Sequence, residues 1–134
     1  MGAGVAKAIA DRWPGALAAD RKTKIGDRDK LGTYTSYLDE ELEIKIINAY
    51  TQYDFAMNYG ECVFDYDALE KVLARFSYME AMNYQMSYMA GDSHKTYRYL
   101  MPMIGAGLAG GDWNRIEKIL NDSNLDITVV IYRN

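Results

Sequence analysis

The sequence predicts one α/β domain spanning residues 1–134, and three features lead there. Stretches with apolar residues at helical spacing alternate along the chain with short stretches rich in β-branched and aromatic residues. Glycine-rich turns stand where strands hand over to helices. No internal repeat, low-complexity tract or linker breaks the pattern. With 134 residues, 49% hydrophobic and 25% charged, the chain is long enough for one real core.

Val5, Ile9 and Trp13 recur every four residues with Ala6 and Ala10 beside them, which predicts a short first helix ended by Pro14-Gly15. "ALAADRKTK" predicts a second short helix. "KLGTYTSYL" alternates and is rich in Thr and Tyr, the pattern of a strand. "DEE" turns the chain, and "LEIKIINAY" predicts a second strand with a buried apolar end. From Tyr66 the period changes, and Leu69, Val72, Leu73 and Phe76 share one face of a helix that runs to Gly91. Met79, Met82, Met86 and Met89 keep helical spacing. Methionine packs irregular gaps, so they read as core filler, with a pliable binding surface as the alternative. "KTYRYLMPMIGAGL" predicts a strand, Pro102 and a second glycine loop. Asp112 is a natural N-cap, and Trp113, Ile116 and Leu120 form the inner face of a last helix. "LDITVVIY" predicts a buried closing strand.

Composition excludes several classes. No run approaches the ~20 apolar residues of a membrane span. "MGAGVAKAIADRW" carries Lys7, Asp11 and Arg12 and does not read as a signal peptide. The one cysteine, Cys62, has no partner within the chain, which points to a reducing cytoplasm. A formal net charge of −4 argues against a grip on nucleic-acid phosphates. The basic cluster "DRKTKIGDRDK" is interrupted by aspartates and reads as a solvated helix end and loop. The 12 tyrosines have no basic field around them and read as packing residues rather than base-stacking ones. His94, the lone histidine, reads as a loop residue, while Asp54, Asp65 and Asp67 follow the middle strand near a prospective crevice. No His/Cys/Asp spacing predicts a metal, and no cofactor is expected.

Two glycine-rich loops carry the chemistry: "MGAG" before the first helix and "IGAGLAGGDW" before the last. A helix N-terminus presents unpaired N–H groups and a positive dipole end, and glycines let a diphosphate approach them. Neither loop has the Gly-Lys-Ser/Thr of a Walker loop or the third glycine of a dinucleotide fingerprint.

In order along nearly the whole chain, "MGAGVAKAIADRWP", "KLGTY", "IINAYTQYD", "MPMIGAGLAGGDWNRIEKIL" and "ITVVIY" resemble macro domains. The likeness is greatest to the small phage and bacterial type described as ADP-ribose-1''-phosphate processing proteins. The resemblance implies a three-layer α/β/α fold with a central mixed sheet. It implies ADP-ribose or ADP-ribose-1''-phosphate as ligand and ADP-ribosylated macromolecules as further partners. It implies no membrane and a cytoplasmic setting, the host's where the gene is phage-borne. Gly2, Ala3, Gly4 and Val5 of the first loop, with Gly105, Ala106, Gly107 and Leu108 of the second, would then embrace the diphosphate and distal ribose. Thr51, Gln52, Pro102 and Tyr132 would line the same pocket. The implied activity is phosphatase-like hydrolysis. Asp112 is the candidate for polarising a water, with helix capping as its plainer role.

The chain departs from the macro pattern twice. Macro domains carry a strand–loop–strand segment before the first glycine loop, with an aspartate for adenine and an asparagine near the distal ribose. This sequence starts at the loop, so the expected form is an N-terminally truncated macro fold whose sheet closes another way. Relatives that remove ADP-ribose from glutamate use a lysine and an aspartate where this chain has Gln52 and Ala109. Gln forms no amine adduct and Ala transfers no proton, so that mechanism is not carried over. Three classes stay open: a processing enzyme, a binding module that turns nothing over, and a degenerate fold kept for interactions.

Overall fold

The structure, a computed structural model, describes residues 4–53, 62–93, 96–105 and 109–131. Helices α1 (Gly4–Arg12) and α2 (Pro14–Arg21) come first. Pro14 lies at the start of α2, where its fixed φ and missing N–H cost nothing, so the residue that ends one helix opens the next. A Cβ on Gly15 would run into the ring of Tyr37, so the bare glycine is what lets α2 lie flat on the following strands.

Strands β1 (Tyr34–Asp39) and β2 (Ile44–Ala49) form an antiparallel hairpin, with Tyr34 opposite Ala49 and Asp39 opposite Ile44. Asp39 anchors the turn. It accepts from the Leu42 N–H (3.1 Å) and from the Trp13 indole N–H (2.9 Å), and these bonds, the backbone one first, lower its pKa. Asp20 at the end of α2 accepts from the Tyr50 hydroxyl (2.6 Å) and the Asn48 amide (3.1 Å). The basic segment is the mostly exposed helix end and loop that was expected, with two of its cations laid on rings at the hairpin end. Lys30 sits 4.2 Å over the Tyr50 ring and Arg28 4.4 Å over Tyr53, because the flat faces of these rings attract cations.

Helix α3 (Tyr66–Ala90) is capped by the Asp65 side chain, which accepts from the Ala68 N–H, and ends at left-handed Gly91 as expected. Its first half is core: Ala68, Leu69, Val72 and Leu73 are buried. Its second half is not, and the core-filler reading of the methionines fails there. Met82 is 40% exposed, Met86 64% and Met89 85%. Among the described residues the sheets meet α3 at Phe76, Met79 and Glu80, through Tyr34 and Tyr99, and the methionines beyond that point stand exposed.

Strands β3 (Arg98–Pro102) and β4 (Asp126–Val130) pair in parallel, joined by α4 (Trp113–Asp122) as a crossover helix. Ile116 is fully buried and Leu120 nearly so, packed with Leu69, Leu73, Met101, Ile127 and Val129. The closing strand was expected to be buried. It alternates instead, with Ile127 and Val129 against this cluster and Val130 54% exposed, because only one face of the pair is covered.

The expected three-layer fold with one central mixed sheet is corrected by this topology. The described strands form two separate two-stranded sheets, β1–β2 and β3–β4. Each sheet closes locally, one through a tight turn and the other through α4, and the ladder does not continue from one to the other among the described residues. Aromatic rings bridge them instead. Tyr34 of β1 lies 4.9 Å from Phe76 of α3, and Phe76 stacks at 5.6 Å on Tyr99 of β3. No helix among the described residues is long and apolar enough to cross a membrane.

Candidate functional site

The second glycine loop begins where Pro102, paired with Val130, ends β3. Gly105 has φ +74°, and a Cβ there would stand 2.5 Å from the Phe64 ring. Both facts demand glycine: the backbone is left-handed and the ring fills the side-chain position. The Gly111 N–H donates to the Gly105 carbonyl at 2.7 Å and ties the two ends of the loop together. Gly110 is also left-handed, at φ +73°. Ala106, Gly107 and Leu108 lie outside the described residues.

Three segments meet at this loop. The Ala109 carbonyl accepts from the N–H groups of Val63 (2.9 Å) and Phe64 (3.3 Å). The Thr51 carbonyl, just past β2, accepts from the Asp65 N–H at 2.7 Å, and Gln52 forms an antiparallel bridge with Phe64. The Asp112 N–H donates to the Tyr66 hydroxyl at 2.8 Å. The first turn of α3 is thereby pinned to the start of α4. Two positive helix ends, each capped by an aspartate, thus stand beside one glycine loop. Arg115 adds a cation, its guanidinium 3.9 Å over the Tyr66 ring.

Asp112 is the N-cap of α4, its Oδ1 accepting from the Asn114 N–H at 3.0 Å. That accounts for its presence in structural terms. Ala109, where the glutamate-releasing relatives carry an acid, is buried and its carbonyl is doubly bonded into the loop's support. Thr51 is half-buried and Gln52 exposed, both at the same place as Gly105 and Asp112 through Phe64, Asp65 and Tyr66. Of the candidate aspartates, Asp65 caps α3 and Asp67 is exposed in its first turn, while Asp54 and His94 lie outside the described residues.

The first loop is not brought in by the described atoms. Gly2, Ala3 and Tyr132 lie outside them. Gly4 opens α1 at φ +58° with nothing within 4 Å of where its Cβ would stand, and Val5 is 53% exposed. Phe64, Tyr66 and Arg115 carry the site's geometry without standing out in the sequence. The Tyr66–Asp112 bond spans 46 positions, and no local pattern announces such a pairing.

Two grooves lie elsewhere. One of about 300 Å³ runs between α3 and α4 past Leu73, Ser77 and Ile119, and one of about 340 Å³ passes Trp113, Leu125, Ile127 and Ile131. Neither is lined by Thr51, Gly105 or Asp112, and mostly apolar surface lines each. The loop remains the better candidate because two helix N-termini and a guanidinium stand beside it. Among the described residues, no group of three or more His, Cys, Asp or Glu could hold a metal ion.

No family model matches the chain. A crystal structure of a Bacteroides thetaiotaomicron protein is similar in fold, with a TM-score of 0.69 over 97% of this chain and 80% of that one, at 21% identity. A protein of Enterobacteria phage T4, described as an uncharacterized 17.5 kDa protein of the tk-vs intergenic region, is 34% identical over 137 residues. That match takes in 97% of this chain and 77% of the phage protein, so the chain belongs to the family of the T4 17.5 kDa protein.

Proposed function

We propose that the chain binds ADP-ribose or ADP-ribose-1''-phosphate at the second glycine loop, as a processing protein or as a binding module. One observation carries this reading: a closed glycine loop stands beside two helix N-termini joined by the Tyr66–Asp112 bond. The "MPMIGAGLAGGDW" likeness to macro domains supports the ligand class, although the continuous macro sheet is not part of the proposal. ADP-ribose carried on a macromolecule would present the same diphosphate to the loop. A site of action in the host cytoplasm belongs to the same proposal and is supported by the phage-encoded relative.

Turnover is the second reading. In it Asp112 orients a water at the 1''-phosphate, since its cap bond engages Oδ1 at an exposed position. Calorimetry with ADP-ribose tests binding, and phosphate release from ADP-ribose-1''-phosphate tests turnover. Gly107→Val puts a branched side chain into the loop and is expected to lower affinity at least ~tenfold with an unchanged thermal midpoint. Unaltered affinity in that variant removes the loop from the site. Binding without phosphate release leaves the binding module, and no binding at all leaves the interaction protein.

A further inference from the structure

Arg115 lies in the first turn of α4, just past the Asp112 cap. A cation there faces the positive end of its own helix, which costs stability rather than adding to it. The two cations of α4 are placed differently. Lys118 pairs with Asp122 at 2.6 Å, one turn further on. Arg115 has Gly111 and Ile119 one turn to either side, and among the described residues no carboxylate is ion-paired with it.

What holds Arg115 is an aromatic face. Its guanidinium sits 3.9 Å over the Tyr66 ring, at an exposed position. Stacking fixes the plane of a guanidinium and leaves the N–H donors along its edge free. The Tyr66 hydroxyl is half used. It accepts from the Asp112 N–H at 2.8 Å, and among the described residues its own proton has no acceptor. The ring is held edge-on to Phe64, with 5.3 Å between centroids, and Phe64 is the ring that fills the side-chain position of Gly105. A charged donor and a neutral one are thus carried by one packed ring beside the glycine loop.

We propose that Arg115 and the Tyr66 hydroxyl select for charge at this site by donating together to one phosphate of a diphosphate. This role rests on the reading of the loop as a diphosphate site. A guanidinium matches two phosphate oxygens with parallel N–H bonds, and the phenol supplies a further donor. A bound phosphate would also offset the cost of a cation at a helix N-terminus, because it is attracted to both.

Calorimetry of the full chain with inorganic pyrophosphate, ADP-ribose and ADP-ribose-1''-phosphate tests the pair. Arg115→Gln is expected to lower the affinity for those that bind by at least ~tenfold and to make it less sensitive to salt. The thermal midpoint should stay or rise, since an unfavourable cation leaves the start of α4. Arg115→Lys keeps the charge without the fork and should restore part of the affinity. Tyr66→Phe keeps the ring and should weaken binding as well. Pyrophosphate binding that Arg115→Gln weakens, with no affinity for ADP-ribose, supports the role and removes the ADP-ribose reading. Full ADP-ribose affinity in Arg115→Gln overturns the role and leaves that reading standing. A loss of affinity with a lower thermal midpoint and an unchanged salt dependence also overturns it, since Arg115 would then only brace the ring. No binding of any of the three overturns both.

Discussion

Asp112 and the two interior tyrosines show what single groups contribute. Asp112→Asn keeps the cap, since Asn caps about as well as Asp, and should leave stability within ~0.5 kcal/mol. Asp112→Ala should cost ~1 kcal/mol in chemical denaturation. Should the chain release phosphate from ADP-ribose-1''-phosphate, Asp112→Asn is expected to slow that release ~10²-fold or more, because Asn takes no proton. Full turnover in the Asn variant would reduce Asp112 to a cap. Tyr99 and Tyr50 are both pushed above the ordinary phenol value. Burial is the first cause in each, followed by the bonds they donate to Glu80 (3.0 Å) and Asp20 (2.6 Å). The folded chain therefore holds these protons more tightly than the unfolded one. Their contribution is complete below about pH 10 and is lost as pH rises through the folded values. Thermal midpoints should fall above about pH 10, and Tyr99→Phe should fall less steeply there. An equal slope in the variant would remove Tyr99 from the account.

The two long-period helices differ at the scale of the element. In α4 the stripe of Trp113, Ile116 and Leu120 turns into the core, and Ile116 has no solvent exposure. Ile116→Ala should cost ~2–5 kcal/mol, from lost burial and the cavity left behind. In α3 an equally regular stripe continues past the last strand into solvent. Met86→Ala should change stability by no more than ~0.5 kcal/mol in dilute protein. Urea denaturation of the two variants at low concentration separates the cases. Near-equal costs would mean that the second half of α3 packs on something the described contacts do not include. Periodicity states that a helix has an apolar face but not what stands opposite it.

For the whole molecule, the joint between the two sheets is the point of interest. The β3–β4 pair is held by the cluster around Ile116, Leu69 and Leu73, whereas the hairpin reaches α3 through Tyr34, Phe76 and Met79. An isolated two-stranded sheet is marginal, so the hairpin relies on α2 behind it and on this ring contact in front. Phe76→Ala should therefore speed amide exchange in β1 and β2 more than in β3 and β4. Uniform acceleration across both sheets would show that the molecule opens as one unit. The TM-score of 0.69 to the Bacteroides protein indicates that the arrangement is shared at the level of fold.

Local chemistry by itself determined a great deal here. Pro14, Gly91 and Asp112 mark helix ends because a missing N–H, a left-handed backbone or a short carboxylate acts within one turn, whereas Asp65 showed itself as a cap only in the structure. The strand periods and the inner face of α4 were legible for the same reason, since neighbours two or four residues apart reveal them. So was the need for glycine in the second loop, though not that Phe64 fills the space where its first residue would carry a Cβ. Tertiary structure alone decided the rest. Whether the four described strands make one sheet or two depends on which backbone edges meet, and the side-chain pattern of a strand carries little information about its neighbour. The Tyr66–Asp112 bond, the folding of Lys30 onto Tyr50 and the exposure of Met86 join or separate residues far apart in the chain. Such contacts form only once the elements are in place, because their partners are set by packing and not by spacing.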